Sequence, residues 1–129
     1  MNKNKKVLLI EDDESIADVY MEAFKASKIN VEVIKWGADA MTKIKNIEAG
    51  KEEKPSLVLL DLILPDINGV EIFKEMKKND ATKNIPVFIL SNYTNAELPK
   101  INGIAPEKLI LKSSITPTQL VELVKKQLK

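Results

Sequence analysis

Leu57-Val58-Leu59-Leu60, followed directly by Asp61, is the stretch of this sequence that decides the fold. An apolar run of this length is typical of a strand, and the lack of polar alternation indicates a parallel strand covered on both faces. The runs from Val7 to Ile10 and from Pro86 to Leu90 show the same pattern on either side of it. The sequence therefore predicts a buried parallel sheet.

Working outward, two more strands are predicted, and segments of helical period separate all five. The added strands run from Val31 to Ile34 and from Leu109 to Leu111. Apolar residues spaced by three and four positions predict the buried stripes of four helices. These stripes are Ile16, Val19, Tyr20, Ala23 and Phe24; Ala40, Met41, Ile44 and Ile47, ending near Gly50; Ile72, Phe73 and Met76; and Leu120, Leu123, Val124 and Leu128.

Two helix boundaries can be predicted from local chemistry. Thr116, Pro117 and Gln119 form the pattern of a capping box with proline in the first turn, so the last helix is expected to begin there. The segment from Asn95 to Pro106 contains prolines and glycine, which allow only a short or irregular fourth helix.

Strict alternation of strands and helices defines the fold class. It predicts an α/β, flavodoxin-like, doubly wound (βα)5 sandwich of three layers, with a parallel sheet in the order 2-1-3-4-5. At 129 residues the chain has the usual size of one domain, and no repeat or linker divides it. Residues 1–129 are therefore predicted to form a single domain.

Composition excludes several classes of function. Apolar runs are only strand-sized and cysteine is absent, so we expect a cytoplasmic protein without membrane spans, disulfides or thiol chemistry. The net charge is +1 and every basic residue is lysine, which argues against nucleic-acid binding. Histidine is also absent, so a phosphohistidine in any reaction of this chain must come from a partner.

Acidic residues follow the first and third predicted strands, at Glu11-Asp12-Asp13-Glu14 and at Asp61. Because the carboxyl ends of these neighbouring strands meet at one edge of the sheet, the carboxylates would repel one another unless a cation binds. Carboxylate and carbonyl oxygens are ligands that Mg²⁺ prefers. The plainer alternative, that Asp13 or Glu14 only caps the following helix, stays open.

Over essentially its whole length the chain resembles the receiver domains of two-component response regulators. The resemblance is carried by an ordered set of residues at four strand ends, which are Ile10-Glu11-Asp12; Asp61 with Leu64, Pro65 and Gly69; Ser91; and Lys112. Each element alone is a weak signal, whereas the ordered set is a strong one.

The resemblance implies a role for each matching residue. It makes Asp61 the phosphoacceptor, and it places Lys112 and Ser91 against the phosphoryl oxygens. It implies a Mg²⁺ site formed by Asp12 and Asp61 as ligands, Glu11 acting through water, and the backbone carbonyl of Ile63. Asp13 falls one position beyond the usual acidic pair and is left outside the direct ligands.

The same resemblance implies partners. A sensor histidine kinase or a histidine phosphotransfer protein would supply the phosphoryl group. A downstream protein target would bind the face of the fourth helix, fifth strand and fifth helix. The chain would be a self-phosphorylating switch and not a turnover enzyme, since an aspartyl-phosphate hydrolase would need an acid where Ile63 stands. A phosphorylation-independent interaction module is the alternative.

Departures from the family pattern fall in the region of output. Leu109 replaces a common aromatic switch residue, and Ser113 replaces the proline that usually follows the lysine, which removes the usual reason for a cis peptide there. Asn92 replaces a commonly small residue. Ile63 and Tyr93 carry no charge to orient a hydrolytic water, so slow self-dephosphorylation is predicted.

Overall fold

The computed structural model describes residues 5–91 and 106–129. The predicted fourth helix, together with Asn92 and Tyr93, falls in residues 92–105 and so lies outside the described part of the chain. Strands occupy β1 (Lys6–Ile10), β2 (Asn30–Ile34), β3 (Leu57–Asp61), β4 (Val87–Ser91) and β5 (Lys108–Leu111). Helices within the described ranges are α1 (Glu14–Ala26), α2 (Gly37–Glu48), α3 (Gly69–Lys78) and α4 (Pro117–Leu128).

All five strands are parallel, and their order is β2-β1-β3-β4-β5, as predicted. Every residue of β3 and β4 is buried, whereas the two edge strands are mostly half-buried. The uninterrupted apolar runs therefore identify the central strands, because side chains on both faces of a central strand meet helices.

Two hydrophobic layers lie on opposite faces of the sheet. Leu8, Ile10, Val58 and Leu60 pack in one layer, and their sequence neighbours Val7, Leu9, Leu57 and Leu59 pack in the other. Successive strand side chains point to opposite faces, which produces this division. Helices α2 and α3 cover the first layer, and α1 and α4 cover the second.

The predicted stripe of α1 is partly wrong. Val19 is 52% exposed, and Ala17 is buried in its place beside Tyr20 and Phe24. The buried line follows positions 17, 20 and 24, which share one side of a helix, whereas position 19 is turned away from that side. Val19 consequently lies on the surface near the carboxyl edge of the sheet.

Helix starts follow their predicted chemistry. The Asp13 side chain caps α1 by accepting the Ile16 N–H at 3.0 Å, and Thr116 and Gln119 form the predicted capping box of α4. The Lys112–Ser113 peptide is trans, as expected without proline, and the described residues contain no cis peptide. Within residues 5–91 and 106–129, every helix falls short of the length and apolar character that crossing a membrane would require.

Candidate functional site

The register of the sheet brings the two acidic strand ends together. Ile10 of β1 lies opposite Leu60 of β3, so that Glu11 and Asp61, the next residue in each strand direction, are neighbours at the carboxyl edge. One carboxylate oxygen from each of Glu11, Asp12 and Asp61 lies within 4.8 Å of the others. Glu11 is fully buried and Asp61 is 5% exposed, whereas Asp12 faces solvent.

Lys112 follows the edge strand β5, and its side chain reaches this group of acids. It begins a short 3₁₀ turn (Lys112–Ser114) directly after β5, and its side chain is 8% exposed. Its Nζ lies 2.9 Å from Asp61 Oδ2, to which it donates a hydrogen bond, and 2.6 Å from Glu11 Oε1. The ammonium group therefore bridges the ends of β1 and β3.

Burial and charge act on these groups in opposite directions. Burial of Glu11 raises the pKa of its carboxyl, against the lowering effect of Lys112. Burial alone would lower the pKa of Lys112, but its contacts with Glu11 and Asp61 outweigh burial and raise the pKa. The lysine is consequently charged throughout the physiological range.

The donor set fits a hard divalent cation. Three carboxylates facing one ammonium leave an excess of two negative charges when all are ionised. Glu11 Oε1 is buried, and among the described residues its only polar contact is the ion pair with Lys112, without a hydrogen bond. A cavity of about 470 Å³ opens beside these groups and is lined by Glu11, Asp12, Asp13, Ile16, Asp61, Ile63 and Lys112. The cavity has room for an ion and a small anion.

Two backbone amides fix the orientation of the buried acids. The Asp13 N–H donates to Glu11 Oε2 at 3.1 Å, and the Ile63 N–H donates to Asp61 Oδ1 at 3.0 Å. Asp13 also caps α1, so the capping role that the sequence left open does apply to it. Each buried carboxylate thus has one oxygen held by an amide and the other near Lys112.

Ser91 ends β4, the strand between β3 and β5, and is 1% exposed. In the register, Ser91 lies opposite Leu111, and Asp61 lies opposite Leu90. The end of β4 is therefore flanked by Asp61 on one side and by the approach to Lys112 on the other.

The loop after Asp61, residues 62–68, is anchored at both ends. The Gly69 N–H donates to the Leu62 carbonyl at 2.8 Å, and Ile63 pairs with Asn68 in an antiparallel bridge. A Cβ at Gly69 would lie 2.5 Å from the Asp61 carbonyl oxygen, so glycine is required for this approach. Gly69 therefore has a steric role in letting the loop close against the end of β3.

Sequence reasoning missed two contacts of this region. Lys112 was predicted against phosphoryl oxygens, but its direct pairing with Glu11 was not foreseen. Asp66 was passed over, although its carboxylate accepts the Gly37 and Ala38 N–H groups, both at 2.8 Å. The available signal was that α2 begins after Trp36, which has no side-chain oxygen to act as a cap.

Comparison with known proteins gives consistent matches. The family model of the response regulator receiver domain matches residues 7–125. Response regulator Rcp1 of Synechocystis is 35% identical over 99 residues, which cover 74% of this chain and 67% of Rcp1. The probable methanogenesis regulatory protein FilR2 of Methanothrix harundinacea is 32% identical over 91 residues, which cover 69% of this chain and 59% of FilR2. The match thus spans less than two thirds of the length of FilR2.

Solved structures match over nearly the whole chain. The phosphorylated cyanobacterial phytochrome response regulator RcpA superposes with a TM-score of 0.78 at 30% identity, covering 95% of this chain and 89% of RcpA. The Mn²⁺-bound form of Rcp1 gives a TM-score of 0.81 at 26% identity, covering 95% of this chain and 92% of Rcp1.

Proposed function

This chain belongs to the response regulator receiver domain family, and on that premise we propose that it is a phosphorylation switch with Asp61 as the acceptor. Members of the family are signalling switches of two-component systems. The observation that carries the proposal is the position of the Asp61 carboxylate, at the carboxyl edge of the central strand, against Lys112 and beside two further acids.

In the proposed reaction, a carboxylate oxygen of Asp61 attacks phosphorus in line with the leaving group. The new O–P bond forms as the bond between phosphorus and the donor breaks, and the leaving group keeps that electron pair. Lys112 neutralises negative charge on the phosphoryl oxygens, and Ser91 donates a hydrogen bond to one of them. Catalysis is therefore mainly positioning and electrostatic stabilisation.

Asp12 and Asp61 would hold Mg²⁺, with Glu11 acting through water and Ile63 contributing its backbone carbonyl. The bound ion supplies positive charge next to the transferred group. A further role falls to Lys112, which compensates part of the acidic charge when the ion is absent, because it already contacts Glu11 and Asp61.

Partners follow from the chemistry of the chain. Because the sequence contains no histidine, a histidine kinase or phosphotransfer protein would present the phosphohistidine. Its imidazole would approach past Ile63, which is 52% exposed at the cavity. Output would be contact with a protein target through α4, β5 and the segment before β5. We place the chain in the cytoplasm, as one receiver domain that acts on itself and not on a turnover substrate.

The test is phosphorylation by acetyl phosphate with Mg²⁺, measured by intact-protein mass spectrometry. We expect one added phosphoryl group in the native chain and none in Asp61→Asn or in the presence of a chelator. Asp80→Asn is the matched control, because Asp80 has a side chain that is 93% exposed and is placed beyond α3. An unmodified native chain would favour the phosphorylation-independent alternative, and modification that persists in Asp61→Asn would refute Asp61 as the acceptor.

A further inference from the structure

We propose that Asp66 is a positioning residue, which couples the loop carrying Ile63 to the first turn of α2 and thereby holds the cation pocket in its binding geometry. This inference rests on the proposed function, because it concerns the same pocket. Asp66 itself lies outside the cavity and is not expected to touch the ion or the phosphoryl group.

The Asp66 carboxylate contacts the start of α2 with both of its oxygens. Asp66 Oδ1 accepts the Gly37 N–H and Oδ2 accepts the Ala38 N–H, each at 2.8 Å. Both oxygens of one carboxylate are thus used by consecutive amides at a helix N-terminus. Such amides otherwise have no partner within the helix. A residue 29 positions along the chain therefore supplies the cap that Trp36 cannot.

The loop tip fits tightly around Gly37. A Cβ at this position would lie 2.3 Å from Ile67 Cγ1 and 2.9 Å from Asp66 Oδ1. Glycine therefore allows the tip of the 62–68 loop to rest directly on the start of α2. Backbone hydrogen bonds to Asp66, that from Ala38 first, lower the pKa of its carboxyl, so the cap remains charged at neutral pH.

The tip of the 62–68 loop is held by a different part of the molecule from its base. The base of the loop is closed on itself by the Ile63–Asn68 bridge and by the contact from Gly69 to Leu62. The hydrogen bonds that Asp66 accepts from α2 connect the loop tip to the helix that follows β2. α2 follows β2, and β2 holds the start of the acidic segment, because the Glu11 N–H donates to the Ile34 carbonyl at 3.0 Å.

The pocket is therefore assembled from two halves, which the β1–β3 pairing and Lys112 join at the strand ends and which Asp66 links again through α2. One half carries Glu11 and Asp12 and belongs to β1, β2 and α2; the other carries Asp61 and Ile63 and belongs to β3 and its loop. Groups that orient metal ligands without touching the metal commonly change metal affinity by about 10–100-fold when they are removed. Loss of the Asp66 contact should loosen the second half relative to the first.

The experiment compares Asp66→Ala, Asp66→Asn and Asp39→Ala with the native chain. Asp39→Ala is the matched control, because Asp39 is an exposed acid in the first turn of α2. Its replacement removes the same charge from the same end of the helix. Two quantities are measured without any phosphodonor. They are the Mg²⁺ dissociation constant by calorimetry and the hydrogen exchange rates of the Gly37, Ala38 and Ile63 amides by NMR.

In Asp66→Ala, we expect the Mg²⁺ dissociation constant to rise about tenfold and all three amides to exchange faster in metal-free protein. Asp39→Ala should leave both quantities within about twofold of native, since the effect depends on hydrogen bonding and not on charge near the helix dipole. Asp66→Asn keeps one oxygen acceptor and should fall between the two. If Asp66→Ala does not fold, Asp66→Asn carries the comparison.

Faster exchange at Gly37 and Ala38 with unchanged Ile63 exchange and unchanged Mg²⁺ affinity would overturn the proposal and reduce Asp66 to a helix cap. The result is separable from the proposed function. If the native chain is not phosphorylated at Asp61, but Asp66→Ala binds Mg²⁺ more weakly or exchanges the Ile63 amide faster, the phosphorylation switch is refuted and the coupling through Asp66 stands. If the native chain is phosphorylated at Asp61, but Asp66→Ala changes neither the Mg²⁺ affinity nor the exchange of the Ile63 amide, the switch stands and the coupling is refuted.

Discussion

At the scale of single residues, Lys112 is the side chain on which the charge balance of the pocket depends. Its ammonium group contacts Glu11 and Asp61 within a region where all three side chains are at most 8% exposed. Removing one partner of a buried pair is costly, because the remaining charge is left without compensation. Lys112 is therefore needed in the metal-free fold to compensate the buried acids, as well as in the proposed reaction.

We expect Lys112→Met to lower the free energy of unfolding of metal-free protein by about 3 kcal/mol, the lower end for a broken buried pair. Saturating Mg²⁺ should restore part of this loss, because the ion replaces the missing positive charge. Urea unfolding with and without Mg²⁺ measures both effects. Lys125→Met is the control, since Lys125 forms an exposed pair with Glu122. Equal losses in the two variants would contradict the role of Lys112.

Two glycines should respond to alanine for different reasons. Gly69→Ala places a Cβ 2.7 Å from Leu62 Cα as well as against the Asp61 carbonyl, so backbone must shift. We expect a loss of about 2 kcal/mol, within the range for overpacked sites. Gly50 has φ of +77° with open space around it, so Gly50→Ala should cost only the left-handed penalty of about 1 kcal/mol. Unfolding curves test the order, and a larger loss at Gly50 would disprove it.

The sequence predicts which residues form the site better than it predicts the contacts between them. The acids at Glu11, Asp12 and Asp61 were predictable because strand ends and charge are visible in sequence, whereas Lys112 was placed with them by the resemblance to receiver domains. The pairing of Lys112 with Glu11 was not predictable, since the lysine reaches across strands that are distant in the chain. The cap supplied by Asp66 was hidden for the same reason.

At the scale of elements, an ion-pair network joins α2 to α3. Glu75 of α3 is 8% exposed, and its oxygens lie 3.0 Å from Lys45 Nζ and 3.2 Å from Lys78 Nζ. The contact with Lys45, followed by a hydrogen bond from Glu48, lowers the pKa of Glu75 to about 2. Burial raises the pKa of Glu48, so the pKa values of the two acids are shifted in opposite directions.

A depressed pKa makes Glu75 stabilising above its ordinary value of 4.5, and this contribution is lost as pH falls toward about 2. Both test proteins carry Glu48→Gln, so that protonation of Glu48 does not contribute to the pH dependence. We expect the double variant Glu48→Gln/Glu75→Gln to lose less stability over this pH interval than Glu48→Gln alone. Urea unfolding at a series of pH values gives the comparison. Parallel profiles for the two proteins would show that the network contributes nothing.

Element boundaries were predicted where local chemistry determines them. The apolar runs fixed the strands, and Thr116 with Gln119 marked the start of α4. The stripe of α1 was assigned one position too widely at Val19, because a spacing of three or four residues admits neighbouring lines on a helix and only packing chooses between them. The short or irregular helix predicted before β5 lies outside the described residues.

At the scale of the whole molecule, Mg²⁺ binding should appear as added stability. A ligand at about 100 times its dissociation constant raises the free energy of unfolding by about 2.7 kcal/mol. Asp12→Asn should abolish this gain while slightly stabilising metal-free protein, because it removes repulsion among the clustered acids. Thermal unfolding with Mg²⁺ or chelator measures the gain. Asp18→Asn, an exposed change on α1, is the control and should retain the full gain.

The topology could be predicted because few arrangements satisfy five alternating parallel strands with right-handed connections. The contacts that join neighbouring helices could not be predicted to the same extent. The grouping of α2 with α3 on one face follows from the strand order, but their link through Glu75 and Lys45 depends on distances that the sequence does not contain.

The central position of β3 has a consequence for how long a chemical mark could persist. β3 has a hydrogen-bonded neighbour on each side, all of its residues are buried, and Asp61 is its last residue. Breathing motions of folded proteins are frequent at the periphery and rare in central strands, where opening approaches complete unfolding. Within the part of the chain that the structure describes, stray nucleophiles would therefore reach a mixed anhydride on Asp61 through the mouth of the cavity. Its lifetime would be governed by chemistry at that entrance and not by fraying of the backbone.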